Sequence, residues 1–441
     1  MKPITKERLT FLEESYDKNL VQKVLRRALA KNPLSDIAYV TESESNTNFK
    51  FSIDLETLPV TNQKSTGRCW IFAGLNVLRE VAAKKYNVSN IEFSQNYTAF
   101  YDKYEKINYF IEAMDDFLEC DHDDRTLNHL LRMGIQDGGQ WDMFVNLINK
   151  YGVVIKEAMP ETHSSSNSMY LNRLINIQLR KYAYTARELF KNGKQAEISA
   201  LKQDTLEKLY NFLVTNLGIP PKTFNFEYVD KNKNYTLVEN ICPIQFYKDL
   251  GYNLDDYVSV TNAPTKDKPY NKNFTIAYLG NVVSGKEINH LNVVMPRLEE
   301  LILAQLKDSE VVWFGADVAF FGDRQAGIWD DTAYDFDTAF DMDFHMTKES
   351  RLDYLQGAMN HAMVITGVNI VEGIPTKWKI QNSWGDERAS KGYYLMSDSW
   401  FSEHVYQAVV HKKYLTESEL KAYNNKPEVL KPWDPMGSLA K

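Results

Sequence analysis

The sequence predicts an α+β fold in which a helical half precedes a strand-rich half. From Trp70 onward, apolar residues recur at three- and four-residue steps, which indicates one buried face of a helix. From residue 311 the apolar residues fall instead in short β-branched or aromatic runs: VVWFGADV, HAMVITGVNI, TKWKIQNSW and GYYLMS. Between these regions, residues 169–217 are rich in Leu, Lys, Glu and Ala at helical spacing, which predicts a helical insertion.

Changes in these patterns divide the chain into segments. We predict an N-terminal helical extension (1–54), a helical half (55–160), a mainly helical insertion (161–310), a strand-rich half (311–424) and a C-terminal arm (425–441). Within the insertion, KTFNFEYVDKNKNYTLVEN predicts a hairpin and MPRLEELILAQLKD a helix. The proline-containing end of the chain, NNKPEVLKPWDPMGSLAK, predicts an extended arm and not a helix.

Charge and cysteine content exclude several classes of protein. The 441 residues include 51 basic and 59 acidic side chains, a net charge of -8 without a basic stripe, which makes nucleic acid and anionic membranes unlikely partners. The N-terminus has no signal-peptide pattern, and no apolar run approaches the roughly 18 residues of a membrane span. Three scattered cysteines argue against disulfides, so a cytoplasmic protein is expected.

Cys69, in the stretch NQKSTGRCWIFAG, is the candidate nucleophile. It stands where a helix is predicted to begin, and a helix N-terminus can lower a thiol pKa to roughly 3.5–7.5. Gln63 precedes it by six residues and could direct its amide NH₂ at a substrate carbonyl oxygen, beside the Cys69 backbone N–H. This pattern indicates a thiol nucleophile with an oxyanion hole.

The remaining candidates lie far along the chain. His361 opens the strand HAMVITGV and is the candidate base, and Asn382, 21 residues later, could accept from the imidazole and set its tautomer. Trp384 could shield that hydrogen bond from water. Gly138 and Gly139, in GGQWD, could let a substrate backbone approach closely.

Four stretches resemble the motifs of papain-like cysteine proteases and occur in the same order along the chain: NQKSTGRCWIFAG, GGQWD, HAMVITGV and KIQNSWGDERASKGYYLM. Two features depart from the ordinary pattern: Arg68 precedes the cysteine, and the second cysteine of the signature is absent. The interval from Cys69 to His361 is 292 residues, against about 130–150 in the ordinary proteases, and the excess is close to the length of segment 161–310. With GRCW, WFGADV and the ending PWDPMGSLAK, the chain is similar to the bleomycin hydrolase and bacterial aminopeptidase C family.

The resemblance implies a papain-like fold and a cysteine aminopeptidase of broad peptide specificity, with activity on bleomycin-like amides as a further expectation and with no metal or organic cofactor. It also implies a cytoplasmic homohexamer whose C-terminal arm enters the active-site cleft and meets the substrate α-ammonium with its terminal carboxylate. Lys441 would place a cation near that ammonium, so we hypothesise that it is trimmed and that Ala440 becomes the terminus.

Two other functions remain open at this stage. A thiol acyltransferase of transglutaminase type would also use Cys and His, but it typically orients the base with Asp and lacks the glutamine six residues before the cysteine. A non-catalytic cage or binding protein could retain the site without using it. Arg68 could be a surface cation or could add to the positive field near Cys69.

An apparent metal cluster at Cys120, His122 and His129 lacks paired ligand spacing, so a solvated loop is favoured there.

Overall fold

The computed structural model describes residues 1–45 and 48–441. The α-helices are Lys6–Lys18 (α1), Leu20–Leu29 (α2), Leu34–Ala38 (α3), Glu42–Ser45 (α4), Cys69–Tyr86 (α5), Gln95–Ala113 (α6), Arg125–Met133 (α7), Trp141–Tyr151 (α8), His163–Ser166 (α9), Met169–Lys191 (α10), Gln195–Leu217 (α11), Pro243–Asp249 (α12), Met295–Lys307 (α13), Phe336–Phe340 (α14), Lys348–Asp353 (α15), Asp398–His404 (α16) and Glu417–Asn424 (α17).

The strands are Ile53–Asp54 (β1), Phe224–Val229 (β2), Tyr235–Ile241 (β3), Tyr257–Thr261 (β4), Lys272–Ile276 (β5), His290–Asn292 (β6), Val312–Ala316 (β7), Gly322–Asp323 (β8), Ile328–Trp329 (β9), His361–Val371 (β10), Ile374–Gln381 (β11), Tyr393–Ser397 (β12), Val405–His411 (β13) and Glu428–Leu430 (β14). All except the β2–β3 hairpin form one sheet in the order β14-β5-β6-β4-β13-β7-β10-β11-β12-β9-β8, with β1 on β10.

The centre of the sheet is antiparallel, as the sequence predicts for the strand-rich half. Strand β10 pairs antiparallel with β7 and β11, and β13 pairs antiparallel with β4 and β7. Three pairings outside this centre are parallel: β12 with β9, β14 with β5, and β4 with β6.

Strand β10 is buried on both faces because helices cover each side of the sheet. Ala362 and Val364 point into the apolar core built around the helical half, whereas Met363 and Ile365 point into a second core shared with α13. This double burial explains why the sequence of the strand is a nearly continuous apolar run and does not alternate.

Helix α5 is the central helix of the first core. Its first three turns are buried on all sides, from Cys69 to Arg79. The helix ends at Asn87, which adopts a left-handed conformation with φ of 50°. Since both α5 and β10 are enclosed, the N-terminus of the helix is held against the beginning of the strand.

Most predicted elements are present. The N-terminal helical stretch is two helices that share Asn19 as a cap, and the helices beginning near Trp70, Trp141 and Met295 are confirmed. Residues 169–217 form the pair α10 and α11, and the predicted hairpin is β2–β3.

The structure adds to one expectation and corrects another. Segment 161–310 also contributes strands β4, β5 and β6, which continue the large sheet beyond β13. The C-terminal arm is extended only in part: β14 is followed by a 3₁₀ helix over Pro435–Ala440, which Asp434 caps by accepting from the Met436 N–H at 2.9 Å. The division into five segments stays a prediction.

No helix in the described ranges has the length and apolar character needed to cross a membrane.

The buried histidine on β6 predicts a pH-dependent stability. Burial lowers the pKa of His290 to about 4; its Nδ1 lies 2.7 Å from the Ser259 hydroxyl. Between pH 6.5 and 4 the unfolded chain therefore binds a proton that the folded chain does not, so stability falls with falling pH. We expect His290→Gln to reduce this loss by about 1.4 kcal/mol per pH unit near pH 5.

Urea unfolding at pH 7 and pH 5 measures this difference. His345→Gln, which changes an exposed histidine, is the control and should keep the wild-type pH dependence. Equal pH dependence in wild type and His290→Gln would contradict the assignment.

Candidate active site

Cys69 is the first residue of α5, and its thiol meets the strand that carries His361. The side chain is buried, and Sγ accepts a hydrogen bond from the Ala362 backbone N–H at 3.4 Å. Ala362 is the residue after His361, so the helix terminus and the strand start form one site. The structure thus brings together residues that are 292 positions apart in the sequence.

His361 is oriented by Asn382, as the sequence predicts. The distance from His361 Nε2 to Asn382 Oδ1 is 2.8 Å. The Ser383 backbone N–H also donates to Asn382 Oδ1, at 2.8 Å, which identifies this atom as the oxygen of the amide. His361 must therefore donate through Nε2, and Nδ1 carries the lone pair that can accept a proton.

Trp384 covers this pair. Its ring stacks on the His361 imidazole, with centroids 4.7 Å apart and planes inclined by 24°. The Arg324 guanidinium lies over the Trp384 ring, 5.1 Å from its centroid. The indole therefore covers one face of the imidazole, and shielding of the hydrogen bond from water stays a prediction.

Burial controls the charge state of both reacting groups. Burial raises the pKa of the Cys69 thiol to about 11, with a smaller rise from Asp137, while hydrogen bonds from backbone N–H groups oppose it. Burial lowers the pKa of His361 to about 4, and the Asn382 hydrogen bond opposes that fall. The expected lowering of the thiol pKa by the helix N-terminus is wrong for this enclosed site, because desolvation is the larger effect.

These two shifts restrict how the pair can ionise. An isolated charge on either group is disfavoured near neutral pH. Sγ contacts the backbone of the residue after His361, so a proton transferred from Sγ to this imidazole would create two opposite charges in one poorly solvated site, where each stabilises the other. The arrangement is therefore suited to a thiol that is deprotonated by its own neighbour.

Gln63 lies in a rigid loop before α5. Its side-chain Oε1 accepts from the Ser383 hydroxyl at 2.6 Å, and its Nε2 donates to the Thr66 carbonyl at 2.7 Å. Its backbone N–H donates to the Ser383 carbonyl at 2.9 Å. One N–H of the Gln63 amide is thus used within the loop, and the second N–H remains for another acceptor.

The two candidate glycines have different surroundings. A Cβ on Gly138 would lie 2.3 Å from the Leu439 carbonyl oxygen and 2.6 Å from that of Lys441, so this glycine allows close backbone approach. A Cβ on Gly139 would lie 2.4 Å from the Trp70 indole. Gly139 is therefore required for packing, and Gly138 is the glycine that faces the C-terminal arm.

The C-terminal arm contacts several segments of its own chain. The Gln140 side chain donates to the Met436 carbonyl at 3.2 Å, and the Ser438 hydroxyl donates to the Met359 carbonyl at 2.7 Å. Asp434 pairs with the buried Lys268 at 3.1 Å. The arm, which includes Ala440 and Lys441, is thereby held between the Gly138 segment and the residues just before His361.

Arg68 is neither a surface cation nor an unpaired positive charge. Its side chain is buried, and its two terminal nitrogens donate to the two carboxylate oxygens of Glu161 at 3.1 and 3.0 Å. The positive charge near Cys69 is therefore neutralised by Glu161.

A buried ionic network behind the site was not predicted. Asp137 accepts from Lys103 Nζ at 2.6 Å and from the Gly67 backbone N–H at 3.0 Å, and its carbonyl accepts from the Trp70 indole at 2.7 Å. The Lys103 ammonium, together with hydrogen bonds from Ser168 and Asn172, keeps the pKa of Asp137 well below its usual range even though burial opposes this. The only sequence signal was an acidic residue directly before the glycine pair, which does not reveal its distant partners.

Cys120 and His129, two members of the apparent metal cluster, each contact other side chains. Cys120 Sγ accepts from Arg187 at 3.3 Å, and His129 lies against Trp433 with ring centroids 6.0 Å apart. Within residues 1–45 and 48–441, no three His, Cys, Asp or Glu side chains are grouped so as to hold a metal ion.

Comparison with known proteins places this geometry in a family. Residues 3–437 match the Peptidase C1-like family. The chain is 47% identical over 422 residues to aminopeptidase C of Lactobacillus delbrueckii subsp. lactis, covering 95% of this chain and 94% of that protein. It is 40% identical to bleomycin hydrolase of Mus musculus, covering 89% of this chain and 88% of that protein.

A solved structure is also similar. The crystal structure of PepW from Lactobacillus rhamnosis superposes with a TM-score of 0.97 at 46% sequence identity, and the match covers 99% of each chain.

The pairing of thiol and imidazole predicts the pH dependence of alkylation. In a His361→Asn variant the thiol loses its proton acceptor, while the burial that raises the pKa of Cys69 remains, so little of the thiol is ionised at pH 7. We expect iodoacetamide to label Cys69 at least about tenfold more slowly in this variant at pH 7, and the rate to rise steadily toward alkaline pH.

Peptide mapping by mass spectrometry measures the labelling of Cys69 separately from that of Cys120 and Cys242, which are also free. A Cys69→Ser variant reports the background. Unchanged labelling of Cys69 in His361→Asn would show that His361 does not accept its proton.

Proposed function

Because the chain belongs to the Peptidase C1-like family and is a cysteine-type aminopeptidase of papain-like fold, we propose that Cys69, His361, Asn382 and Gln63 carry out the reaction. The observation that carries this assignment is the juxtaposition of the Cys69 thiol with the strand start that holds His361, whose Nε2 is bound by Asn382. This leaves the basic Nδ1 of the imidazole free to take the thiol proton.

Acylation begins with transfer of the Cys69 proton to His361. Sγ bonds to the carbonyl carbon of the first residue of the peptide, and the negative charge that develops on the carbonyl oxygen is stabilised by the free N–H of Gln63 and the backbone N–H of Cys69. The C–N bond then breaks as the imidazolium gives its proton to the leaving amine. The products are a thioester on Cys69 and a peptide shortened by one residue.

Deacylation reverses the proton flow. His361 takes a proton from water, the resulting hydroxide attacks the thioester carbonyl, and the proton returns to Sγ as the C–S bond breaks. The released amino acid and the neutral Cys69–His361 pair complete the cycle. Asn382 and Trp384 hold the imidazole in one orientation through both half-reactions.

The C-terminal arm restricts this chemistry to the ends of peptides. The contact of the arm with Gly138 supports its placement in the cleft where a longer substrate would continue. A terminal carboxylate there would bind the substrate α-ammonium through a charge-assisted hydrogen bond. We propose that Lys441 is removed, so that the carboxylate of Ala440 makes this contact and no lysine side chain opposes the ammonium.

The substrates are peptides with a free N-terminus and broad sequence, and we extend the proposal to bleomycin-like amides on the basis of the similarity to bleomycin hydrolase. Self-association as a homohexamer is supported by α1 and α2, in which no residue from 6–18 or 20–29 is buried, and by exposed apolar side chains at Phe11, Leu20 and Val21. Three free cysteines support a cytoplasmic location.

Shortening the arm should change substrate selection. We expect a variant without residues 437–441 to cleave peptides with blocked N-termini and to lose at least about tenfold in kcat/KM on peptides with free N-termini, because the carboxylate–ammonium contact is lost. Steady-state kinetics on paired free and acetylated peptides measures this. A truncated enzyme with unchanged preference would contradict the role of the arm.

The state of the terminus can be tested separately. We expect the intact mass of the active enzyme to lack the mass of Lys441, and a variant ending at Ala440 to keep the selectivity of the full chain because it already has the proposed carboxylate. Complete retention of Lys441 in active enzyme would refute trimming while leaving the catalytic assignment unaffected.

A further inference from the structure

A buried ion pair lies directly behind the loop that carries Gln63. The Arg68 guanidinium binds both carboxylate oxygens of Glu161, at 3.1 and 3.0 Å, and its Nε donates to the Thr66 hydroxyl at 3.1 Å. All three guanidinium nitrogens of Arg68 therefore donate hydrogen bonds. Two bind Glu161, at the start of the insertion, and one binds Thr66, in the loop. Such a planar fork sets direction as well as distance.

Thr66 transmits this contact to Gln63. The Thr66 hydroxyl donates to the Gln63 backbone carbonyl at 2.7 Å, while the Gln63 side chain donates to the Thr66 carbonyl at 2.7 Å. Arg68, Thr66 and Gln63 thus form a continuous chain of hydrogen bonds. A shift of the guanidinium would move Thr66, whose carbonyl accepts the hydrogen bond from the Gln63 amide.

The far end of the pair is also anchored. Glu161 accepts from the Ser165 hydroxyl at 2.5 Å, and the Ser166 carbonyl accepts from the Ser65 backbone N–H at 3.1 Å. Residues 161–166 therefore bind the loop at two points. Helix α10 begins three residues later, so the loop is connected to the rigid helical part of the insertion.

Removing an ion pair from water is costly, and a buried pair is often no more stabilising than apolar residues of similar size. Its geometry is therefore the more informative property. Because placement within a fraction of an ångström matters for a donor to a developing oxyanion, a pair that fixes the Gln63 loop can affect the reaction without touching the substrate.

We propose that Arg68 and Glu161 are positioning residues for acyl transfer, holding the loop 63–68 so that the free N–H of Gln63 points at the substrate carbonyl oxygen. This inference rests on the proposed function of Gln63 as an oxyanion donor. It assigns to the first residues of the insertion a part in the reaction, through the loop and not through contact with substrate.

The test compares Thr66→Val and Glu161→Gln with wild type. Thr66→Val breaks the chain of hydrogen bonds but leaves the ion pair intact, so it tests the proposal even if loss of Glu161 charge prevents folding. Loss of an oxyanion donor costs about 10²–10³ in kcat, and misplacement should give a part of this, so we expect kcat to fall by about tenfold or more with KM little changed.

Iodoacetamide labelling of Cys69 distinguishes a specific effect on Gln63 from a general disturbance of the site, because a general disturbance would also change the labelling rate. Alkylation uses the thiolate but needs no oxyanion donor, so its rate should stay within about twofold of wild type in both variants. A parallel fall of kcat and labelling would overturn the proposal, because it would mean that the loop supports the nucleophile or the fold as a whole.

A second bidentate pair in the chain provides a matched control. Arg297 binds Glu419 at 2.8 and 2.9 Å, between α13 and α17 and away from the Gln63 loop. We expect Glu419→Gln to lower the Tm about as much as Glu161→Gln while keeping kcat within about twofold of wild type. Equal falls in kcat in the two variants would overturn the proposal.

Gln63→Ala separates this inference from the function on which it rests. If Gln63→Ala lowers kcat but Thr66→Val and Glu161→Gln do not, the positioning role is wrong and the oxyanion role stands. If Gln63→Ala leaves kcat unchanged, the oxyanion role itself is wrong.

Discussion

The contact between the N-terminus of α5 and the first residues of β10 is the constraint on which the rest of the structure depends. It places Cys69 against Ala362 and therefore beside His361. The first three turns of α5 and the first eight residues of β10 are buried, so neither end can move without disturbing a close-packed core. The helix, the sheet and the insertion can be understood as the surroundings that keep these two ends together.

Enclosure has a chemical consequence that the individual residues do not reveal. In water a thiol and an imidazole ionise independently, but at this site burial opposes a charge on either one. The protein compensates with directed hydrogen bonds: Asn382 fixes the imidazole, Ser383 fixes Gln63, and Asp137 accepts from the Gly67 backbone N–H. Charge then develops only where an adjacent group of opposite sign can receive it.

The sequence was most informative where chemistry is encoded locally. Gln63 and Cys69 share one short loop and helix start, and His361 begins a strand with a clear apolar pattern, so their identities could be predicted from residue type and spacing. Asn382 followed from its place in a single motif. Packing between strands was harder, because β4, β5 and β6 are short and the pairing of β4 with β13, through which β6 and β5 join the sheet, depends on contacts distant in sequence.

Long-range pairs were the hardest to predict. Arg68 and Glu161 are 93 residues apart, and nothing in either segment specifies the other. The thiol pKa could not be predicted because a helix N-terminus and burial act in opposite directions, and only the three-dimensional structure shows which is larger. The end of the arm was predicted as extended because of its prolines, whereas Asp434 and Pro435 together begin a 3₁₀ turn.

The C-terminal arm is covalently part of the same chain as the Gly138 segment that it contacts. Its effective concentration at the site is therefore set by the short connection from β14 and does not fall when the protein is diluted. A separate inhibitor of the same affinity would dissociate at low protein concentration and expose the open cleft. If the arm restricts cleavage as we propose, that restriction belongs to the enzyme itself and needs no second molecule to enforce it.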